Sequence, residues 1–132
     1  MSSLAEYTQF DALGLAELVA RKEVHPRELV AAALERIERL NPTVNAVVYE
    51  MAASAFEAAE REVPDGLFAG VPYLLKDMVV HSGTLLTLGS SFLRDAHYIP
   101  QETHPVVERA EQAGLNILGK TNACEFGLLP TT

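Results

Sequence analysis

The sequence predicts an α/β fold: a helical N-terminal layer followed by the first strands of a mixed sheet with a βαβ unit. Three observations predict it. In the first half, apolar residues recur at helical spacing, as Leu15, Leu18 and Val19 and then Leu29, Val30, Ala33, Leu34, Ile37 and Leu40. In the second half, Val71-Pro72-Tyr73-Leu74-Leu75 and Leu115-Asn116-Ile117-Leu118 are short bulky runs of the kind found in strands covered on both faces. A helical stretch lies between these runs, so strand, loop, helix and strand follow one another and the two strands are expected to be parallel.

The elements come in order. A first helix is expected over residues 10–21, with Thr8 or Asp11 at its start. His25-Pro26-Arg27-Glu28 opens a second helix, because proline suits the first turn and Glu28 reaches back to free amides. Asn41-Pro42 is expected to stop it. Residues 45–49 read as a short strand and the Ala/Glu-rich residues 51–62 as a third helix. Pro64-Asp65-Gly66 is a turn, and a strand comes next over residues 70–75. Residues 81–100 read as irregular. Thr103 is expected to cap a helix over 104–113, closed by Gly114, and a last strand spans 115–119. Residues 120–127 then leave the sheet.

The chain of 132 residues is taken as one partial domain, 1–66 mostly helical and 67–132 strand-loop-helix-strand. Its net charge is −8, with 12 acidic against 6 basic residues in the first half and 6 against 4 in the second. That acidity argues against direct contact with nucleic acid or an anionic membrane. No apolar run approaches the roughly 20 residues a spanning helix needs. The single Cys124 forms no internal disulfide and points to a reducing, cytoplasmic setting. Met1 to Glu6 carries neither the basic start nor the apolar core of a leader.

One stretch carries chemistry. Gly70-Val71-Pro72-Tyr73-Leu74-Leu75-Lys76-Asp77 reads as a buried strand that delivers a lysine to a polar edge. Half-burial there would lower the lysine's pKa and make it a proton acceptor. Strand-end lysines mostly reach out to water, so the octapeptide needs a second motif beside it. Other patterns are decoys. Gly114–Thr121 matches the phosphate-loop pattern, yet a helix precedes it and its middle residues favour a strand, so no nucleotide is expected there. Cys124 has no neighbouring histidine to make it a nucleophile. His25, His81, His97 and His104 lack metal-ligand spacing, and Gly89-Ser90-Ser91 reads as an ordinary loop turn.

The second motif is Ala113-Gly114 through Gly119-Lys120-Thr121-Asn122 with Glu125-Phe126. Together with Gly70-Val71-Pro72 through Lys76-Asp77, and with Leu40-Asn41-Pro42 and Asn45-Ala46 after two helices, it resembles the amidase signature family over residues 13–127. The resemblance implies hydrolysis or transfer of amide bonds by a Ser, cis-Ser, Lys triad. Lys76 takes the place of the base. Asp77, Thr87, Gly89 and Ser90 correspond to supporting residues, and Glu125, Phe126, Gly127 and Leu128 to the substrate channel. A small-molecule amide is the implied substrate of the complete enzyme, with no metal or organic cofactor. Departures are His25 in place of a Ser or Thr cap, and Ala123-Cys124 in place of Met-Pro. The family places both serines beyond these 132 residues, so the chain alone is expected to be inactive. It is also expected to self-associate through unpaired sheet edges. The same motifs fit the amide-transfer subunit of a tRNA-dependent amidotransferase, and a non-catalytic remnant that only associates with other chains.

Overall fold

The computed structural model describes residues 7–61 and 65–131. Glu62 and Pro64, expected in a helix end and a turn, lie outside the described residues. The helical layer comes first. Helix α1 (Ala12–Ala20) is capped by Asp11, whose Oδ1 accepts from the Gly14 N–H at 2.8 Å. Helix α2 (Pro26–Val44) opens on a capping box: His25 Nδ1 accepts from Arg27 N at 3.2 Å, and Glu28 accepts from His25 N at 2.8 Å. A histidine therefore takes the role of the usual Ser or Thr. The expected stop at Asn41-Pro42 is overturned, since α2 runs through Pro42 to Val44. Proline is tolerated there because little helix remains beyond it to be disrupted. The chain turns at Asn45, in the left-handed region with φ 47. Asn41 then clasps Val47 through both its backbone N–H and its carbonyl, each at 2.8 Å.

Strand β1 (Val47–Glu50) leads into α3 (Ala52–Glu60), and β2 (Pro72–Lys76) comes next. Within the stretch expected to be irregular, a short helix α4 (Ser91–Asp95) forms. Helix α5 (Pro105–Gln112) is capped by His104 rather than Thr103: its Nδ1 accepts from Val106 N at 3.1 Å. Thr103 Oγ1 instead accepts from Ser82 N at 3.1 Å. Strand β3 (Asn116–Thr121) and a single 3-10 turn (Glu125–Gly127) complete the order.

The three strands form one mixed sheet in the order β1-β3-β2. β1 is antiparallel to β3 and β2 parallel to it, as a βαβ unit requires. Both faces are covered. Leu118 and Leu74 pack with Val30, Ala33, Ala55 and Ala59 of α2 and α3. Leu75 and Ile117 pack on the other face with Val107 of α5. A third cluster joins Leu15 and Ala16 of α1 to Leu29 and Val71. Leu29, Val30 and Val107 are fully buried, each stabilising the fold by about 1.5–3 kcal/mol through apolar area removed from water.

One register shift sets the geometry of the strand ends. Tyr73 pairs with Ile117, but the next residue, Leu74, pairs with Gly119, leaving Leu118 as the extra residue of a bulge. A bulge reverses the alternation of side chains beyond it. Lys120 thus comes to pair with Leu75 and lies on the α5 face, instead of joining Leu118 on the α2–α3 face. The strand continues to Thr121, so Lys120 does not leave the sheet as expected.

Candidate active site

The C-terminal ends of the parallel strands β2 and β3 lie side by side, Lys76 paired with Thr121. Open α/β sheets carry their sites at such ends. Pleating puts Lys76 on the face opposite Leu75, while Asp77 returns to the Leu75 face. The ladder extends one step past the strand, since Asp77 N donates to Thr121 O at 2.9 Å.

Lys76 stands at the strand end as expected, but it is exposed rather than half-buried. Its side chain makes no hydrogen bond or ion pair among the described residues. The burial expected of it belongs to Lys120, which is 0% exposed. Lys120 Nζ donates to the Leu85 carbonyl at 2.6 Å and lies 3.9 Å from Asp77 Oδ1. Burial pushes the Lys120 ammonium below the ordinary lysine range, and the Asp77 carboxylate opposes that shift. The Tyr49 ring, from the paired strand β1, lies 6.0 Å from Nζ.

Asp77 is itself only 1% exposed. Its carboxylate accepts from the Thr87 N–H at 3.2 Å and from the Thr87 hydroxyl. Thr87 Oγ1 accepts in turn from Gly89 N at 3.2 Å. Ser90 is buried, and its hydroxyl donates to Glu125 Oε1 at 2.8 Å. The Leu88 carbonyl accepts from Phe126 N at 2.8 Å. Gly89, at φ +70, leaves no room for a side chain: a Cβ there would overlap the Ala123 carbonyl oxygen. Gly127 lies against the Met78 side chain.

The fold therefore gathers Asp77, Thr87, Gly89, Ser90, Glu125, Phe126 and Gly127 into one contact network at the strand ends. Leu128 is 79% exposed at its outer margin. Ser90 closes the expected turn, its N–H donating to the Thr87 carbonyl at 2.8 Å, and is in addition a buried link between two segments. Lys120 is the site residue that sequence reasoning missed. Its signal is present, an apolar strand followed after Gly119 by a lysine, but the phosphate-loop pattern masks it. A phosphate loop needs a free turn opening a helix; here residues 116–121 are sheet and the ammonium is buried.

Among the described residues no group of three or more His, Cys, Asp or Glu is placed to hold a metal ion, and no helix is long and apolar enough to cross a membrane.

Known proteins resemble this chain in sequence and in fold. The family model described as Amidase matches residues 28–132. A 6-aminohexanoate-cyclic-dimer hydrolase of Paenarthrobacter ureafaciens is 39% identical over 125 residues, covering 92% of this chain and 24% of the relative. A glutamyl-tRNA(Gln) amidotransferase subunit of Acidothermus cellulolyticus is 38% identical, covering all of this chain and 26% of the relative. A solved structure of 6-aminohexanoate cyclic dimer hydrolase superposes with a TM-score of 0.88 at 35% identity, covering 100% of this chain and 26% of that one. The chain belongs to the amidase family, among the amidase signature enzymes. It spans about a quarter of the length of the curated relatives it matches.

Proposed function

We propose that this chain supplies the base, Lys76, of an amidase that hydrolyses a carbon–nitrogen bond through a Ser, cis-Ser, Lys triad. The observation that carries the reading is the position of Lys76. It stands at the C-terminal end of a parallel strand, between a buried carboxylate that anchors residues 85–90 and the chain leaving β3. In this mechanism the Lys76 amine accepts the proton of the cis-serine hydroxyl, which accepts that of the nucleophilic serine. The nucleophile's oxygen bonds to the amide carbon, and the proton returns to the leaving nitrogen as the C–N bond breaks. Water then cleaves the acyl-enzyme by the same relay. By the family's pattern both serines lie in a segment beyond the one matched here, which spans about a quarter of the curated relatives' length, and that segment would bring Lys76 its partners. Glu125, Phe126, Gly127 and Leu128 form part of the channel that admits a small amide.

The test is Lys76→Ala in the complete enzyme. Loss of a general base lowers turnover by about 10²–10⁴-fold. A variant with unchanged rate removes Lys76 from the mechanism.

A second reading has its own support, the 38% identity to an amidotransferase subunit. There the ammonia released from the amide attacks the activated carboxyl group of a second, acid substrate, whose activating group leaves as the new amide forms. Co-purifying partner subunits and ammonia transfer to a tRNA-linked acid would favour it, whereas release of free ammonia from simple amides by one polypeptide favours the hydrolase. In either case the protein works in a reducing, cytoplasmic compartment. In the curated relatives the matching segment is about a quarter of a longer chain, which supports reading these residues as one part of an amidase domain. By themselves they are inactive and self-associate through β1 and β2, the two edges of the sheet. Turnover by the isolated chain, or a sharp monomer peak in size-exclusion chromatography, would contradict this.

A further inference from the structure

We propose that Lys120 is a positioning residue for the amidase site, whose buried ammonium holds the end of β2 and the segment 85–90 in one fixed arrangement. The proposal rests on the reading of Lys76 as the base.

Three contacts carry it. Lys120 Nζ reaches two separate pieces of chain, the Leu85 carbonyl at 2.6 Å and Asp77 Oδ1 at 3.9 Å. Asp77 directly follows Lys76, and its other oxygen receives both the N–H and the hydroxyl of Thr87. From Thr87 the contacts pass through Gly89 N to Ser90, whose hydroxyl meets Glu125. One buried cation thus stands at the root of a path joining the base's own strand end to the channel segment. Its place there depends on the bulge at Leu118, which turns Lys120 toward Asp77.

The energetics argue for more than packing. Moving an ammonium and a carboxylate out of water is costly for each, and an apolar pair of the same volume is often no less stable. At 3.9 Å the ion pair is too long for a charge-assisted hydrogen bond to offset that cost in full. What the charges add is direction: Asp77 must face Lys120 and Thr87, and Leu85 must turn its carbonyl inward. With Asp77 N also bonded to Thr121 O, the backbone on both sides of Lys76 is fixed. A base displaced by about 1 Å loses on the order of 100-fold in rate.

The experiment uses the complete enzyme with four variants: Lys76→Ala, Lys120→Met, Asp77→Asn, and Lys120→Met with Asp77→Asn. Melting temperature, kcat, KM and hydrogen exchange at residues 85–90 are measured for each. Lys120→Met leaves a buried carboxylate unpaired and is expected to melt lowest; the double variant removes both charges and is expected to melt near the wild type. Its kcat should nonetheless fall by about 10- to 100-fold with KM little changed, and residues 85–90 should exchange faster. A double variant with wild-type kcat and wild-type exchange, while Lys76→Ala is inactive, overturns the positioning role and leaves the base in place. An active Lys76→Ala overturns the base reading instead. Loss of kcat with slow exchange retained also overturns the proposal, since the segment would then be held without Lys120.

Discussion

Two lysines stand near the C-terminal ends of two neighbouring parallel strands, Lys76 as the last residue of β2 and Lys120 as the last but one of β3, and the fold treats them in opposite ways. Lys76 is exposed and unattached among the described residues; Lys120, one register step away on β3, is entirely buried. Both follow a short apolar run, Lys76 directly and Lys120 after Gly119, so local sequence separates them only by that glycine. The difference comes from what lies across each face. Segment 85–90 crosses the α5 side of the strand ends and supplies the Leu85 carbonyl and, through Thr87, the lock on Asp77. On the other face the helices α2 and α3 cover Leu74 and Leu118 but leave Lys76 exposed. A lysine's chemistry is thus set by its cover. The buried one is fully committed to protein partners, and the exposed one is open to partners from elsewhere in the protein.

The sharpest way to break this comparison is to remove each ammonium and measure stability. Lys120→Met should destabilise the complete protein by about 3–5 kcal/mol, because Asp77 is left as a buried, uncompensated carboxylate. Lys76→Met should change stability by no more than about 0.5 kcal/mol, as for most exposed substitutions. Denaturant midpoints of the two variants check both. Equal effects would mean that the two environments are not as different as the geometry makes them.

The same contrast shows where sequence reasoning succeeds. Helical periodicity locates α1 and α2, boundary residues locate α5, and the order of elements makes β2 and β3 parallel, because those features depend on neighbours along the chain. The bulge at Leu118 has only a weak signal. Gly119 is the one local hint, since an isolated glycine in a strand often marks a bulge, but it does not say toward which face Lys120 turns. Nor does anything local say that residues 85–90 fold back over Asp77. The helix stop at Pro42 fails for a related reason: Asn41 secures the turn by clasping Val47, which lets the helix run three residues further. Asp77, Thr87, Gly89, Ser90 and Glu125 are recognisable in the sequence only by resemblance. Their spacing alone does not show that a carboxylate at 77 and a serine at 90 belong to one network.

A smaller effect sharpens the account of that network. Gly83 and Gly89 both have positive φ, +73 and +70, so alanine strains the backbone at either position. A Cβ at Gly83 meets nothing within 4 Å, whereas at Gly89 it would overlap the Ala123 carbonyl oxygen. Gly83→Ala should therefore cost about 1–2 kcal/mol from conformation alone. Gly89→Ala should cost about 1 kcal/mol or more beyond that, in the range for overpacking, as segment 85–90 is forced away from residues 123–126. Thermal melts of the two variants measure the difference. Indistinguishable losses would show that the close approach at Gly89 is not rigid.

The smallest expected effect concerns His81, which lies just beyond the strand end that carries Lys76. It is half-buried, and its Nδ1 is buried with no hydrogen-bond partner among the described residues. Burial lowers its pKa below the ordinary value of 6.5; Glu111 on α5 works against that shift and the Lys120 ammonium adds to it. Between the lowered folded value and 6.5 the unfolded chain binds more protons at this position than the folded one, so His81 makes stability rise with pH across that window. Below the folded value both states are protonated and the penalty for the buried imidazolium is fully present; above 6.5 both are neutral and the contribution is flat. The carboxylates titrate over part of the same range, so the wild-type profile alone does not isolate the histidine. His81→Gln does, because only the difference between the two profiles belongs to this ring. That difference should favour the variant at mildly acidic pH and level off above 6.5. Because Lys120 contributes to the shift, the difference should also shrink when it is measured in the Lys120→Met, Asp77→Asn background. A difference that grew in that background would mean that the Lys120 charge does not act on His81 as the structure places it.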